Sequence, residues 1–158
     1  MNTTRPILLA TDGSPSAGEA QRHAFDLAKL TGAPLLVVSV SHATLPAVGY
    51  SAYGYSEIVT ELTHAEHQRI DALLAATTDA AAAEGIDCTT VVADGAIVEE
   101  ICRVAAERDA QLVVVGSHGW GAARRLLSGS VSTGLVHSAP CPVLVVRPSE
   151  SAQQQAAA

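Results

Sequence analysis

Leu112-Val-Val-Val-Gly-Ser-His-Gly-Trp-Gly-Ala-Ala-Arg-Arg-Leu-Leu-Ser-Gly-Ser-Val-Ser-Thr133 is the stretch from which the fold can be read. Leu112 to Val115 is short and continuously apolar, as a strand buried on both faces is. Gly116 and Gly119 break that run and an amphipathic pattern follows, so the order is strand, glycine-rich loop, helix. Glycines at 116 and 119 permit positive φ and let backbone N–H groups approach an anion without a Cβ in the way. Gly129 and Ser130 open the next helix, whose first turn offers unpaired N–H groups and the positive end of its dipole, with the Ser130 and Ser132 hydroxyls as further donors. The stretch reads as a phosphate cradle in an α/β protein; the plainer alternative is a turn whose glycines only connect strand to helix. Two common phosphate patterns do not fit. The chain has no Gly-x-x-x-x-Gly-Lys-[Ser/Thr], and Gly119-Trp-Gly121-Ala-Ala-Arg124 lacks the last glycine of a dinucleotide fingerprint.

The flanking chain repeats the alternation. Ile7 to Ala10 reads as a buried strand ended by Thr11-Asp12-Gly13-Ser14-Pro15. Ser14 caps the next helix with Pro15 at its first position, Ala17, Ala20, Ala24, Leu27 and Ala28 make its buried face, and Gly32 and Pro34 stop it. Leu35 to Val40 is a second buried strand. Ser41 to Tyr55, with all three tyrosines, is an unpatterned surface loop for which a flap over a ligand is the alternative. A long helix spans Ser56 to Glu84 with Ile58, Leu62, Ile70, Leu73, Leu74, Thr77 and Ala81 inward. Glu61, His64 and His67 share one helical face, but no matching ligand set occurs elsewhere, so they read as solvated residues. Thr89 to Ala93 is a third strand, followed by a helix with Ile97, Ile101, Val104 and Ala105 on one face. Ala139-Pro-Cys-Pro142 forces an extended entry into the last strand, Val143 to Val146. Five strands alternating with four helical stretches predict an α/β fold, an open parallel sheet with helices on both faces. Residues 1–148 are expected to form one domain and 149–158 a disordered tail.

Composition narrows the partners. Of 158 residues, 48% are hydrophobic and only 3% aromatic, which suits a Val, Leu, Ile and Ala core. A net charge of -7 argues against nucleic acid or an anionic membrane as partner, although Arg124 and Arg125 lie close enough to the glycine loop to act locally. Cys88, Cys102 and Cys141 are an odd number without paired spacing, so a disulfide framework is not expected, and Cys88 and Cys102 read as buried, inert thiols. With no apolar run near the ~20 residues of a membrane span, the expectation is a soluble cytoplasmic protein.

Gly116, two residues, Gly119, nine residues, then Gly129-Ser130 resembles the nucleotide motif of the ATP-binding branch of the universal stress protein family. The likeness covers nearly the whole chain, from Leu8-Leu-Ala-Thr-Asp-Gly-Ser14 to Pro142-Val-Leu-Val-Val146. It implies a Rossmann-like sheet in the order 3-2-1-4-5 and an adenine nucleotide such as ATP, with Mg²⁺ bridging its phosphates. Asp12, flanked by Ala10 and Thr11, would accept from the ribose; read from its local sequence alone, it is equally a turn aspartate bonding its own backbone. The main chain at Val40 would meet the adenine edge. Gly116, Ser117, His118 and Gly119, with Gly129, Ser130, Val131 and Ser132, would take the phosphates, and Arg125 would reach the phosphate tail or else be a surface residue or a dimer salt bridge. The family's habit implies a homodimer through the Val143 to Val146 edge strand, and a stress-response role governed by nucleotide occupancy with little or no turnover. Slow ATP hydrolysis assisted by His118 is the competing reading. A third, a nucleotide-free interaction module, is disfavoured by the intact glycine set.

Overall fold

Strands and helices alternate strictly along the chain in a computed structural model that describes residues 4–41, 55–118 and 131–147. The elements are β1 (Ile7–Ala10), α1 (Pro15–Thr31), β2 (Leu35–Ser41), α2 (Tyr55–Ala83) and β3 (Cys88–Asp94), then α3 (Ile97–Glu107), β4 (Leu112–Gly116), α4 (Val131–Ser138) and β5 (Val143–Val146). All pairings are parallel and the sheet order is β3-β2-β1-β4-β5, as the family resemblance implies. Ala10, the last residue of β1, lies level with Val38 on one side and Val115 on the other, and β2 continues past it to Ser41.

Burial follows from position in that sheet. β1 and β2 are buried at every residue because helices cover both faces, which is why their sequences are continuous apolar runs. Leu9, Val37 and Val114 pack against α1 and α2 with Phe25, Ile70 and Leu74. Leu8, Leu36, Val38 and Val113 pack on the other face with Ile101, Val104 and Leu135 of α3 and α4. The chain therefore leaves β1 toward one face and β4 toward the other, and a crevice opens between them at the carboxyl ends of these neighbouring strands.

Local signals are realised at α1. Ser14 Oγ accepts from the Ala17 N–H at 3.2 Å, Pro15 starts the helix, and Gly32, at φ 68°, ends it. Two expectations are corrected. Leu62 is 55% exposed rather than inward. Among the described side chains of α2 the buried line starts at Ile70 and runs through Leu74, Thr77 and Ala81. A helix of 29 residues spans roughly 44 Å at ~1.5 Å per residue, whereas a seven-residue strand such as β2 spans about 23 Å. The early turns of α2 accordingly project past the sheet. Cys88, Cys102 and Cys141 are free and half-buried rather than enclosed, though desolvation still pushes all three thiols up from their ordinary value and keeps them poor nucleophiles. Ile58, the 42–54 loop and the 149–158 tail lie outside the residues whose side chains are described.

His67 is not merely solvated. Its Nδ1 lies 2.9 Å from the Thr63 carbonyl and its Nε2 3.1 Å from Asp94 Oδ1, tying α2 to the end of β3. The Thr63 carbonyl, followed by the Asp94 charge, raises the imidazole pKa above its ordinary value. A pKa higher in the folded than in the unfolded state means protonation favours folding, so this contribution is complete below about pH 6.5 and is lost as pH rises through the folded value. In an NMR titration His67 should titrate above an unstructured histidine, and Asp94→Asn should lower its midpoint only in part, because the Thr63 carbonyl remains. An unchanged midpoint in Asp94→Asn would show that the pair does not form in solution.

Candidate nucleotide-binding crevice

The crevice is lined on one side by the turn between β1 and α1. Thr11 is buried, its N–H donates to the Val38 carbonyl at 3.0 Å, and its Oγ1 accepts from the Gly13 N–H at 3.3 Å. Asp12 Oδ1 accepts from the Ser14 N–H at 2.9 Å, so the carboxylate does bond its own turn, as one of the two sequence readings has it. Gly13 takes φ 78°, a left-handed conformation that the turn requires.

On the other side stands the end of β4. A Cβ on Gly116 would lie 2.6 Å from Ser16 Oγ and 2.8 Å from the Ser16 carbonyl carbon and oxygen. Gly116 is therefore needed for the close seating of β4 on the first turn of α1, and not for positive φ, which it does not adopt. The next residues are bound into the same junction. Ser117 N–H donates to the Val146 carbonyl at 2.8 Å and His118 N–H to Ser16 Oγ at 3.2 Å, while Ser14 Oγ donates to the His118 carbonyl at 3.4 Å. This narrows the expected cradle: the amides of Ser117 and His118 already hold the loop to the protein. Their side chains remain at the crevice, with Ser117 Oγ 2.9 Å from His118 Nδ1 and the imidazole exposed.

Ala10 and Val40 are buried with the core on the α3 and α4 face, so a ligand could meet them only through main chain. The Val38 carbonyl points to β1, and because backbone groups alternate along a strand those of Val40 face the same way, where β1 has already ended. α4 begins at Val131, half-buried, with Ser132 buried in its first turn. Neither α1 nor α4 carries an acidic side chain in its first turn, although the Asp12 carboxylate sits against the N-cap of α1. Gly119, Arg125, Gly129 and Ser130 lie outside the described residues.

Two contributors were not foreseen from sequence. Ser16 looked like an ordinary helix residue, and only its fold partner Gly116 shows why it matters. Arg69 of α2 donates from Nη1 to the Asp12 carbonyl at 3.1 Å across 57 residues, for which the sequence carries no local signal. Among the described residues no group of three His, Cys, Asp or Glu side chains is arranged to hold a metal. A separate open groove of about 530 Å³ lies at the opposite end of the sheet, beside Gly32, Pro34 and Gly85; its cation Lys29 is paired with Glu84 at 2.6 Å.

A model of the universal stress protein family matches residues 3–147. The chain belongs to the universal stress protein family. A universal stress protein of Methanocaldococcus jannaschii is 34% identical over 146 residues, covering 92% of this chain and 84% of that protein. Universal stress protein UspA from Lactobacillus plantarum shares the fold with a TM-score of 0.77 at 24% identity, over 93% of this chain and 99% of its own. A universal stress protein crystallised in complex with cAMP has a TM-score of 0.68 at 27% identity, over 94% of this chain and 100% of its own. This universal stress protein thus shows the family fold with its β1 and β4 loops joined at the switch point.

Gly116→Ala should destabilise the protein by about 1–3 kcal/mol through overpacking, read by denaturant melts. Adding Ser16→Gly should not restore stability, because the Ser16 main-chain carbon and oxygen stay in the way and the His118 N–H loses its acceptor. Full restoration would show that only the hydroxyl obstructs.

Proposed function

We propose that this universal stress protein binds an adenine nucleotide, ATP in the first instance, in the crevice between β1 and β4, and acts through nucleotide occupancy rather than turnover. The observation that carries the reading is the junction at His118: Ser14, the N-cap of α1, and Ser16 in its first turn hold its carbonyl and its N–H, bringing the Asp12 turn and the glycine loop together. Ligands of open α/β sheets bind at such a switch point. The structurally similar protein crystallised with cAMP lends support to the adenine assignment.

In this reading the Asp12 carboxylate accepts from ribose hydroxyls, the main chain at Val40 meets the base, and the phosphates lie toward the starts of α1 and α4. With the Ser117 and His118 amides engaged internally, the phosphate donors would be the Ser117 and His118 side chains, Gly119 and the Gly129 to Ser132 segment, with Arg125 at the tail. Mg²⁺, which prefers phosphate oxygens and water to an all-protein cage, would neutralise phosphate charge on the bound nucleotide. A cytoplasmic homodimer completes the proposal. β5 is an edge strand whose Val143, Leu144 and Val145 are half-buried, beside Val136 of α4 at 59% exposure. A second copy pairing along it would cover that apolar edge.

Calorimetric titration of ATP with Mg²⁺ into protein freed of nucleotide should give saturable binding, which a folded Gly119→Ala, Gly129→Ala double variant loses. Released phosphate over the same period should stay below one equivalent. Repeated turnover abolished by His118→Asn would favour the hydrolase instead, and no binding by the parent would overturn the nucleotide reading.

A further inference from the structure

We propose that Arg69, gripped by Glu66, is a positioning residue that sets the Asp12 turn for the nucleotide's sugar, so that discrimination at the ribose hydroxyls is controlled from α2. The proposal rests on the nucleotide reading above and deepens it. Its geometry joins α2 to the turn between β1 and α1.

Arg69 uses separate edges of its guanidinium. Nε donates to Glu66 Oε2 and Nη2 to Glu66 Oε1, both at 2.9 Å, while Nη1 donates to the Asp12 carbonyl at 3.1 Å. The guanidinium is planar, so a two-pronged grip on one edge fixes the direction in which Nη1 points. The same grip holds the Glu66 carboxyl below the usual carboxylate range, keeping the pair ionised at neutral pH.

The turn is also seated sterically. A Cβ on Gly13 would lie 3.4 Å from both methyls of Leu73 and 3.8 Å from Arg69 Nη1, so the turn rests on the Arg69 and Leu73 face of α2. Asp12 is thereby held through its carbonyl by Arg69 and through Oδ1 by the Ser14 N–H. Together these bonds set the direction of a carboxylate suited to accept from a vicinal diol. Arg69 and Glu66 side chains are 49% and 31% exposed, a range in which ion pairs contribute little to stability. Their role here is geometric, which makes the variants testable as folded proteins.

The experiment compares affinities for ATP and 2′,3′-dideoxy-ATP, each with Mg²⁺, in the wild type and in Asp12→Asn, Arg69→Gln, Arg69→Lys and Glu66→Gln. The wild type should prefer ATP by roughly tenfold or more, the worth of hydrogen bonds to a charged acceptor. Asp12→Asn should remove most of that preference. Arg69→Gln and Arg69→Lys should reduce it to within about threefold, since neither side chain reproduces the planar grip, while dideoxy-ATP binding stays near the wild-type value. Glu66→Gln should fall between. Arg103→Gln, which breaks a similar Arg–Glu pair on α3, should leave the ratio unchanged.

An undiminished ratio in Arg69→Gln, or equal weakening toward both nucleotides, would overturn the proposal. Should Arg69→Gln fail to fold, Arg69→Lys and Glu66→Gln decide by the same criterion. A wild type that binds both nucleotides equally would overturn the sugar-positioning role and leave nucleotide binding standing. One that binds neither would overturn the nucleotide reading itself.

Discussion

The absence of a side chain at Gly116 allows the carboxyl end of β4 to lie directly on the first turn of α1. Everything at the crevice depends on that approach. With the two backbones in contact, the Ser16 hydroxyl reaches the His118 N–H and the Ser14 hydroxyl reaches the His118 carbonyl. Two loops more than 100 residues apart thus become one rim. A methyl group between them would separate β4 from α1 and leave the His118 amide without its acceptor, an outcome disfavoured for any buried backbone donor.

Below the rim, the sheet supplies rigidity. β1 and β2 are enclosed on both faces, and the chain crosses from the α1–α2 face to the α3–α4 face between the third and fourth strands. That crossing places the beginnings of α1 and α4 on opposite sides of the crevice, with no acidic residue within the first turn of either and with the Asp12 carboxylate just ahead of α1. Such dipole ends act over short distances, so a net charge of -7 does not oppose the proposed anion site. α2 adds ties at the same rim, Arg69 to the Asp12 carbonyl and His67 to Asp94. α2 is thereby fastened at the ends of two different strands.

Much of this was legible in the sequence. Short apolar runs located four strands and the β-branched Thr89 to Ala93 stretch the fifth, and the Ser14-Pro15 start and Gly32 stop of α1 were plain because each follows from local backbone chemistry. What escaped were effects of tertiary origin. The role of Gly116 was read as conformational freedom, whereas the structure shows a steric requirement whose cause, Ser16, is distant in sequence. The Ser117 and His118 amides were read as phosphate donors, yet their acceptors are supplied by β5 and α1. Leu62 fits the apolar period of α2 but lies beyond the sheet the helix covers, and periodicity does not reveal where a facing surface ends. Arg69 carries no motif at all, because its partner is a main-chain carbonyl.

The central claim is that the crevice at the carboxyl ends of β1 and β4 is the nucleotide site. Amide NMR spectra recorded while ATP and Mg²⁺ are added test it most directly. The account predicts that shifts concentrate at Thr11 to Ser14, Val40, Gly116 to His118 and Val131 to Ser132. Shifts centred instead on Lys29, Gly32 and Gly85, around the groove at the opposite end of the sheet, would contradict it.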